Sequence, residues 1–180
     1  MPDLPEAHLE RFERTGRIDW VTDLAEIPAK YGVENVYAEL GTCFATSAVT
    51  HPRHCAALLG TLIKGVGLDH VLWGTDSVWY GSPQWQIEAF RQIEIPEDMQ
   101  EKHGFSPLGP AAGPVRNAIL GLNAARLYGL DLPIQEAAVL TVFDDRLAAI
   151  KRDYEARGRT PSNLAYGFVA TASPQSSARR

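Results

Sequence analysis

The chain has 180 residues, 45% hydrophobic and 22% charged, with a formal net charge of −5. That is the composition of a soluble globular protein with enough chain for one core. The acidic balance, with no Lys/Arg run beyond Arg179-Arg180, excludes nucleic acid as an expected partner.

No apolar stretch reaches the roughly 18–20 residues of a membrane span, so no membrane partner is expected. The acidic start, Met1 to Glu6, resembles neither a signal nor a transit peptide. Cys43 and Cys55 make no disulfide framework and read as small buried hydrophobes. A reducing cytoplasm is the expected compartment.

In chain order, the charged segment from Pro5 to Gly16 predicts a helix, and Asp19 to Tyr31 predicts a second. There Asp19 is the candidate N-cap, Val21, Leu24 and Ile27 recur at three, and Gly32 is the candidate stop. Pro28 falls in its last turn. Asn35 to Leu40 is short and β-rich, which predicts a strand ending at Gly41. The small polar run Thr42 to Thr50 predicts a loop. His51-Pro52 opens a helix whose buried face is Cys55, Leu58, Leu59, Leu62, Ile63 and Val66, ending at Gly65 and Gly67.

His70 to Gly74 predicts the second strand and Thr75 to Gly81 a loop. Ser82-Pro83 starts a helix with Ile87, Phe90 and Ile93 on one face. Ile95-Pro96-Glu97-Asp98 starts a short one that fails at Gly104. Phe105 to Gly113 is dense in Gly and Pro and predicts an ordered loop. Val115–Leu120 and Asn123–Tyr128 read as a helix pair or one broken helix, closed by Gly129. Phe143 to Arg157 predicts a last amphipathic helix, and the tail from Ala170 predicts disorder. Strands separated by helices imply an α/β chain with parallel pairing.

Two stretches carry chemistry together. Val71-Leu72-Trp73-Gly74-Thr75-Asp76 places a carboxylate at a strand's C-terminal end, where α/β barrels hold catalytic groups. About 40 residues later comes Ala118-Ile119-Leu120-Gly121-Leu122-Asn123-Ala124-Ala125-Arg126-Leu127-Tyr128-Gly129. The pair resembles the C-terminal end of the amidohydrolase superfamily, in its amidohydrolase-related branch of metal-dependent hydrolases and nonoxidative decarboxylases. Asn35 to Glu39 resembles the preceding strand, so the resemblance covers roughly residues 15–131, and less clearly Ser162 to Gly167.

The resemblance implies a (β/α)₈ TIM barrel with a divalent metal, usually zinc, at its mouth. It also implies a small-molecule substrate. Asp76 matches the family's last-strand carboxylate, which ligates metal and accepts a proton. Such roles suit a carboxylate beside a metal that lowers the pKa of its water to about 7. The family's His-x-His pair occurs nowhere in this sequence, whose histidines are His8, His51, His54, His70 and His103.

A complete barrel runs to about 250 residues and at least about 200. The chain is therefore expected to be the C-terminal part of such a barrel over 1–131, with a helical extension over 132–169 and a disordered tail over 170–180. It would be inactive alone, its partner being a missing N-terminal half or another copy in a homo-oligomer. The alternative is a non-catalytic remnant that serves as an assembly or binding module.

Among other residues, Glu39 at its strand end is a candidate substrate contact or structural pair. Trp79 and Tyr80, in the loop after Asp76, are candidates for an aromatic substrate wall. Trp85 reads as core, Arg126 as a structural pair or carbonyl cap, and Gly74 and Gly121 as sites of close packing. His51 and His54 read as exposed or capping, and His70 as pointing away from the strand end that carries chemistry.

Overall fold

A computed structural model describes residues 5–130 together with Arg152, Asp153 and Ala156. The described residues are mixed α/β and mostly helical, around a two-stranded parallel sheet. They do not show a barrel. The 132–169 extension and the 170–180 tail lie outside the described residues, apart from helical Arg152, Asp153 and Ala156 within the expected 143–157 helix.

Helix α1 (Pro5–Thr15) buries Phe12. Helix α2 (Val21–Tyr31) starts later than its sequence suggests. Trp20, not Asp19, holds the N-cap position, with φ 49° and no side-chain cap. Asp19 is instead taken by the Arg11 guanidinium. The stop is as expected: Gly32 is left-handed, and its N–H reaches the Pro28 carbonyl at 2.9 Å.

Strand β1 is only Ala38–Glu39, paired in parallel with β2 (Val71–Leu72) in the register Ala38 to Val71 and Glu39 to Leu72. The Leu40 N–H extends the ladder to the Leu72 carbonyl at 3.1 Å. The expected loop after β1 is in fact a helix, α3 (Gly41–Ser47). Ser and Thr ordinarily compete with the helix for backbone partners. Here their hydroxyls bond back one turn, Thr46 to the Thr42 carbonyl at 2.9 Å and Ser47 to the Cys43 carbonyl at 2.6 Å. Phe44, Ala45 and Ser47 are the side chains this helix buries.

Helix α4 (Pro52–Val66) is the central element, buried from His54 through Leu62. Its small residues set how closely neighbours approach. A Cβ on Gly65 would lie 2.5 Å from Ala25 of α2, and one on Gly60 would lie 2.3 Å from the Phe105 ring. Arg53 bonds Glu13 (2.9 Å) and Asp98 (2.5 Å), tying α4 to α1 and to α7 (Glu97–His103).

The segment expected to be a loop after β2 contains a helical turn, α5 (Ser77–Tyr80). Helix α6 (Gln84–Gln92) follows, with Pro83 rather than Ser82 at its N-cap position. Trp85 is half-buried, its Nε1–H directed at the Tyr80 carbonyl (3.3 Å), whereas Gln86 and Phe90 are the buried residues of α6. Phe90, Phe44 and Trp73 form an aromatic cluster with centroids 5.2–5.7 Å apart.

The expected broken helix is α8 (Pro114–Asn117), a π-helical turn (Ala118–Leu122) and α9 (Asn123–Leu127), closed by left-handed Gly129. Nothing lies within 4 Å of a Cβ built on Gly121, so close packing does not explain that glycine. No helix among the described residues is long and apolar enough to cross a membrane.

Candidate functional site

The candidate site is the C-terminal end of the parallel pair. After β2 the chain runs through Trp73, Gly74 and Thr75 to Asp76. The side chain of Glu39 crosses the end of β2 in the space beside Gly74, where a Cβ would lie 2.0 Å from Glu39 Oε1. Buried Gln86 donates its Nε2–H to the Thr75 carbonyl (2.8 Å), anchoring the turn from α6.

Asp76 occupies the left-handed region (φ 47°, ψ 35°), which is sparsely populated outside glycine and which Asp and Asn adopt more readily than other side chains. Its carbonyl accepts the Trp79 and Tyr80 N–H groups at 2.8 and 3.2 Å, which starts α5. An Asp at this N-cap position ordinarily turns its carboxylate onto the helix's own N–H groups. Asp76 makes no such bond. Its Oδ2 instead accepts the Thr42 hydroxyl at 2.6 Å, from a residue 34 positions earlier. A Cβ on Gly41, whose φ is +39°, would lie 2.9 Å from the same oxygen. Among the described residues no hydrogen bond is recorded to Oδ1.

The half-buried thiol of Cys43 is held above its ordinary pKa, by burial first and then by the negative charge of Asp76. Cys55 is fully buried and pushed up to about 12, chiefly by burial. Trp79 is 69% exposed on the turn that follows Asp76, and Tyr80 is half-buried beside it. Asp76, Glu39, Trp79 and Tyr80 thus belong to the two strand ends and the turn after β2.

Thr42 was not legible as a partner of Asp76. The one local signal is that both strands run into Gly-Thr, at Gly41-Thr42 and Gly74-Thr75.

The opposite end is closed by the motif helix. Buried Asn123 donates Nδ2–H groups to the Leu68 and Val71 carbonyls, both at 2.8 Å. Arg126 donates to the Asp69 carbonyl at 2.9 Å, the structural role expected of it. The Asn-Ala-Ala-Arg segment therefore clamps the start of β2. His70 also belongs to this end, with its Nδ1 3.0 Å from the Val36 carbonyl and its ring stacked on Tyr37.

His54 departs from expectation. It is buried at 8% exposure, edge-on to His8, with no hydrogen-bond partner for Nδ1. Burial first, then the charges of His8 and His51, push its pKa down to about 4. With His8, Cys43, Thr46 and Ser47 it lines a cavity of about 150 Å³. Among the described residues, no group of three or more His, Cys, Asp or Glu side chains is arranged to hold a metal ion. Zinc takes about four ligands, so the donors present do not fit a metal centre by themselves.

No curated protein and no solved structure matches the chain. The family model for Amidohydrolase matches residues 20–130, the stretch that holds both strands, Asp76 and the clamping helix. The chain therefore belongs to the amidohydrolase family, a relation carried by hydrolases that generally use divalent metals.

Proposed function

We propose that residues 20–130 are the last-strand side of an amidohydrolase active site, the C-terminal part of a (β/α)₈ barrel. The reaction class is hydrolysis of a C–N or C–O bond, or nonoxidative decarboxylation, of a small molecule. Asp76 is the proton acceptor and the one metal ligand this chain contributes. Glu39 contacts substrate from the neighbouring strand end, and Trp79 and Tyr80 form an aromatic wall. The observation that supports this reading most is the Asp76 carboxylate: it stands just past a strand end in a sparsely populated left-handed conformation and turns away from the N–H groups of its own helix. Such conformations cluster at functional sites.

A single carboxylate does not hold zinc. The remaining ligands belong to a segment with the His-x-His pair that this sequence lacks, and that segment would also cover the sheet. The coding sequence upstream of Met1 tests this. An in-frame His-x-His segment, whose co-expression with this chain yields metal-dependent turnover lost in Asp76→Asn, is the expected result. Tight one-to-one zinc binding and turnover by the 180-residue chain unaided would overturn it.

A further inference from the structure

The Asp76 carboxylate forgoes the local partners its position offers, and among the described residues one hydrogen bond accounts for where it goes. The residue accepts a left-handed backbone and forgoes capping α5 with its own carboxylate. Its Oδ2 reaches across the parallel pair to Thr42. Thr42 is itself held firmly, because its carbonyl accepts the Thr46 hydroxyl and α3 begins directly after the β1 ladder ends at Leu40. Gly41 leaves the room: any side chain there would meet Oδ2 at 2.9 Å and would also be strained at φ +39°.

We propose that Thr42 is a positioning residue for Asp76: its hydroxyl holds Oδ2, fixes the Asp76 side chain in one χ1 rotamer, and leaves Oδ1 as the oxygen offered to the reactant. This rests on the reading of Asp76 as the proton acceptor. A hydroxyl suits the task because its single proton goes to one oxygen and adds no charge to the site. A bond between the two strand ends also makes the carboxylate's orientation depend on the β1–β2 register, which the Leu40 N–H to Leu72 carbonyl bond secures. Orientation of this kind is a substantial part of what a site contributes to rate.

The test is solution NMR of the 180-residue chain, with no metal or substrate added. The Hα–Hβ couplings of Asp76 report its χ1 rotamer. Wild type is expected to show the unaveraged couplings of a single rotamer, and a Thr42 hydroxyl proton slow enough in exchange to observe. Thr42→Val loses the hydroxyl signal and averages the two couplings, while Thr42→Ser restores the wild-type pattern. Because Thr42 is exposed, both variants are expected to fold. Gly41→Ala provides a second route, because its Cβ would lie 2.9 Å from Oδ2 and displace the carboxylate from Thr42, changing the couplings from those of wild type. A merely structural role for Thr42 would lower the melting temperature and leave Asp76 in one rotamer. That result, or averaged couplings in wild type, overturns the proposal. Neither result touches the upstream His-x-His experiment, so failure here and failure of the proposed function are separable.

Discussion

The two ends of the short sheet are built on opposite rules. At the start of β2, polar groups are paired with the backbone: buried Asn123 closes two carbonyls, exposed Arg126 a third, and half-buried His70 faces the Val36 carbonyl. At the end of β2, polar groups are held by few contacts and left available. Asp76 has one hydrogen-bonded oxygen, Glu39 is exposed, and Trp79 stands in solvent. The first arrangement secures the strand. The second leaves chemistry at its tip, which is how barrel strands divide stability from function.

If this contrast is right, substitutions on the secured side should cost stability and those at the tip should not. The largest effect is expected away from the sheet, at Arg116. Its side chain is fully buried and donates to the carbonyls of Phe90, Gly109 (3.1 Å) and Ile93 (2.7 Å) and to Glu94 (2.6 Å). Burial holds its pKa below the ordinary value, opposed by Glu94. Arg116→Met fills similar space but leaves three carbonyls unpaired, so urea denaturation should show a loss of about 3–5 kcal/mol.

Acid should act next, through His54. An unfolded chain protonates this imidazole as pH falls through about 6.5, while the buried ring resists until about 4. Between those values the unfolded state binds more protons, so stability falls as the solution is acidified and is fully present above about pH 6.5. The loss by pH 4 should be about 2–3 kcal/mol. His54→Leu removes the proton acceptor and its unpartnered Nδ1. Its denaturation midpoint should therefore fall less between pH 6.5 and 4 than that of wild type, with the nearby His8, His51 and Cys43 left in place.

Asn123→Ala should cost about 2 kcal/mol by denaturant titration, because it opens two carbonyls at the clamped end. The smallest effects belong to the tip. Asp76→Asn keeps a side chain that tolerates the left-handed region and can still accept from Thr42. Trp79→Ala removes an exposed ring. Each should stay within about 0.5 kcal/mol of wild type. A loss of 2 kcal/mol or more at Asp76 would mean that the tip is structural, and the contrast between the two ends would fail.

The element order was largely legible because it rests on local rules. The stop signals Gly32, Gly104 and Gly129 are all left-handed in the structure, as helix C-termini require. The strand ends and the clamping helix were legible through Gly-Thr-Asp and Asn-Ala-Ala-Arg. Helix α3 was not, because its small polar residues favour loops until their hydroxyls turn inward and Phe44 is buried. His54 was misjudged for a related reason. A histidine at a helix start looks exposed until α1, carrying His8, packs over it.

By itself the sequence determined family membership, the parallel α/β order and the placing of Asp76 at a strand end. Each follows from short motifs and their order along the chain. Tertiary structure alone decided that Asp76 turns from its own helix to Thr42, that Gln86 anchors the turn, and that Arg116 is buried among carbonyls. These pairings span 34, 11 and 26 residues. Only packing the helices brings such partners together, and no periodicity along the chain encodes which hydroxyl will meet which carboxylate.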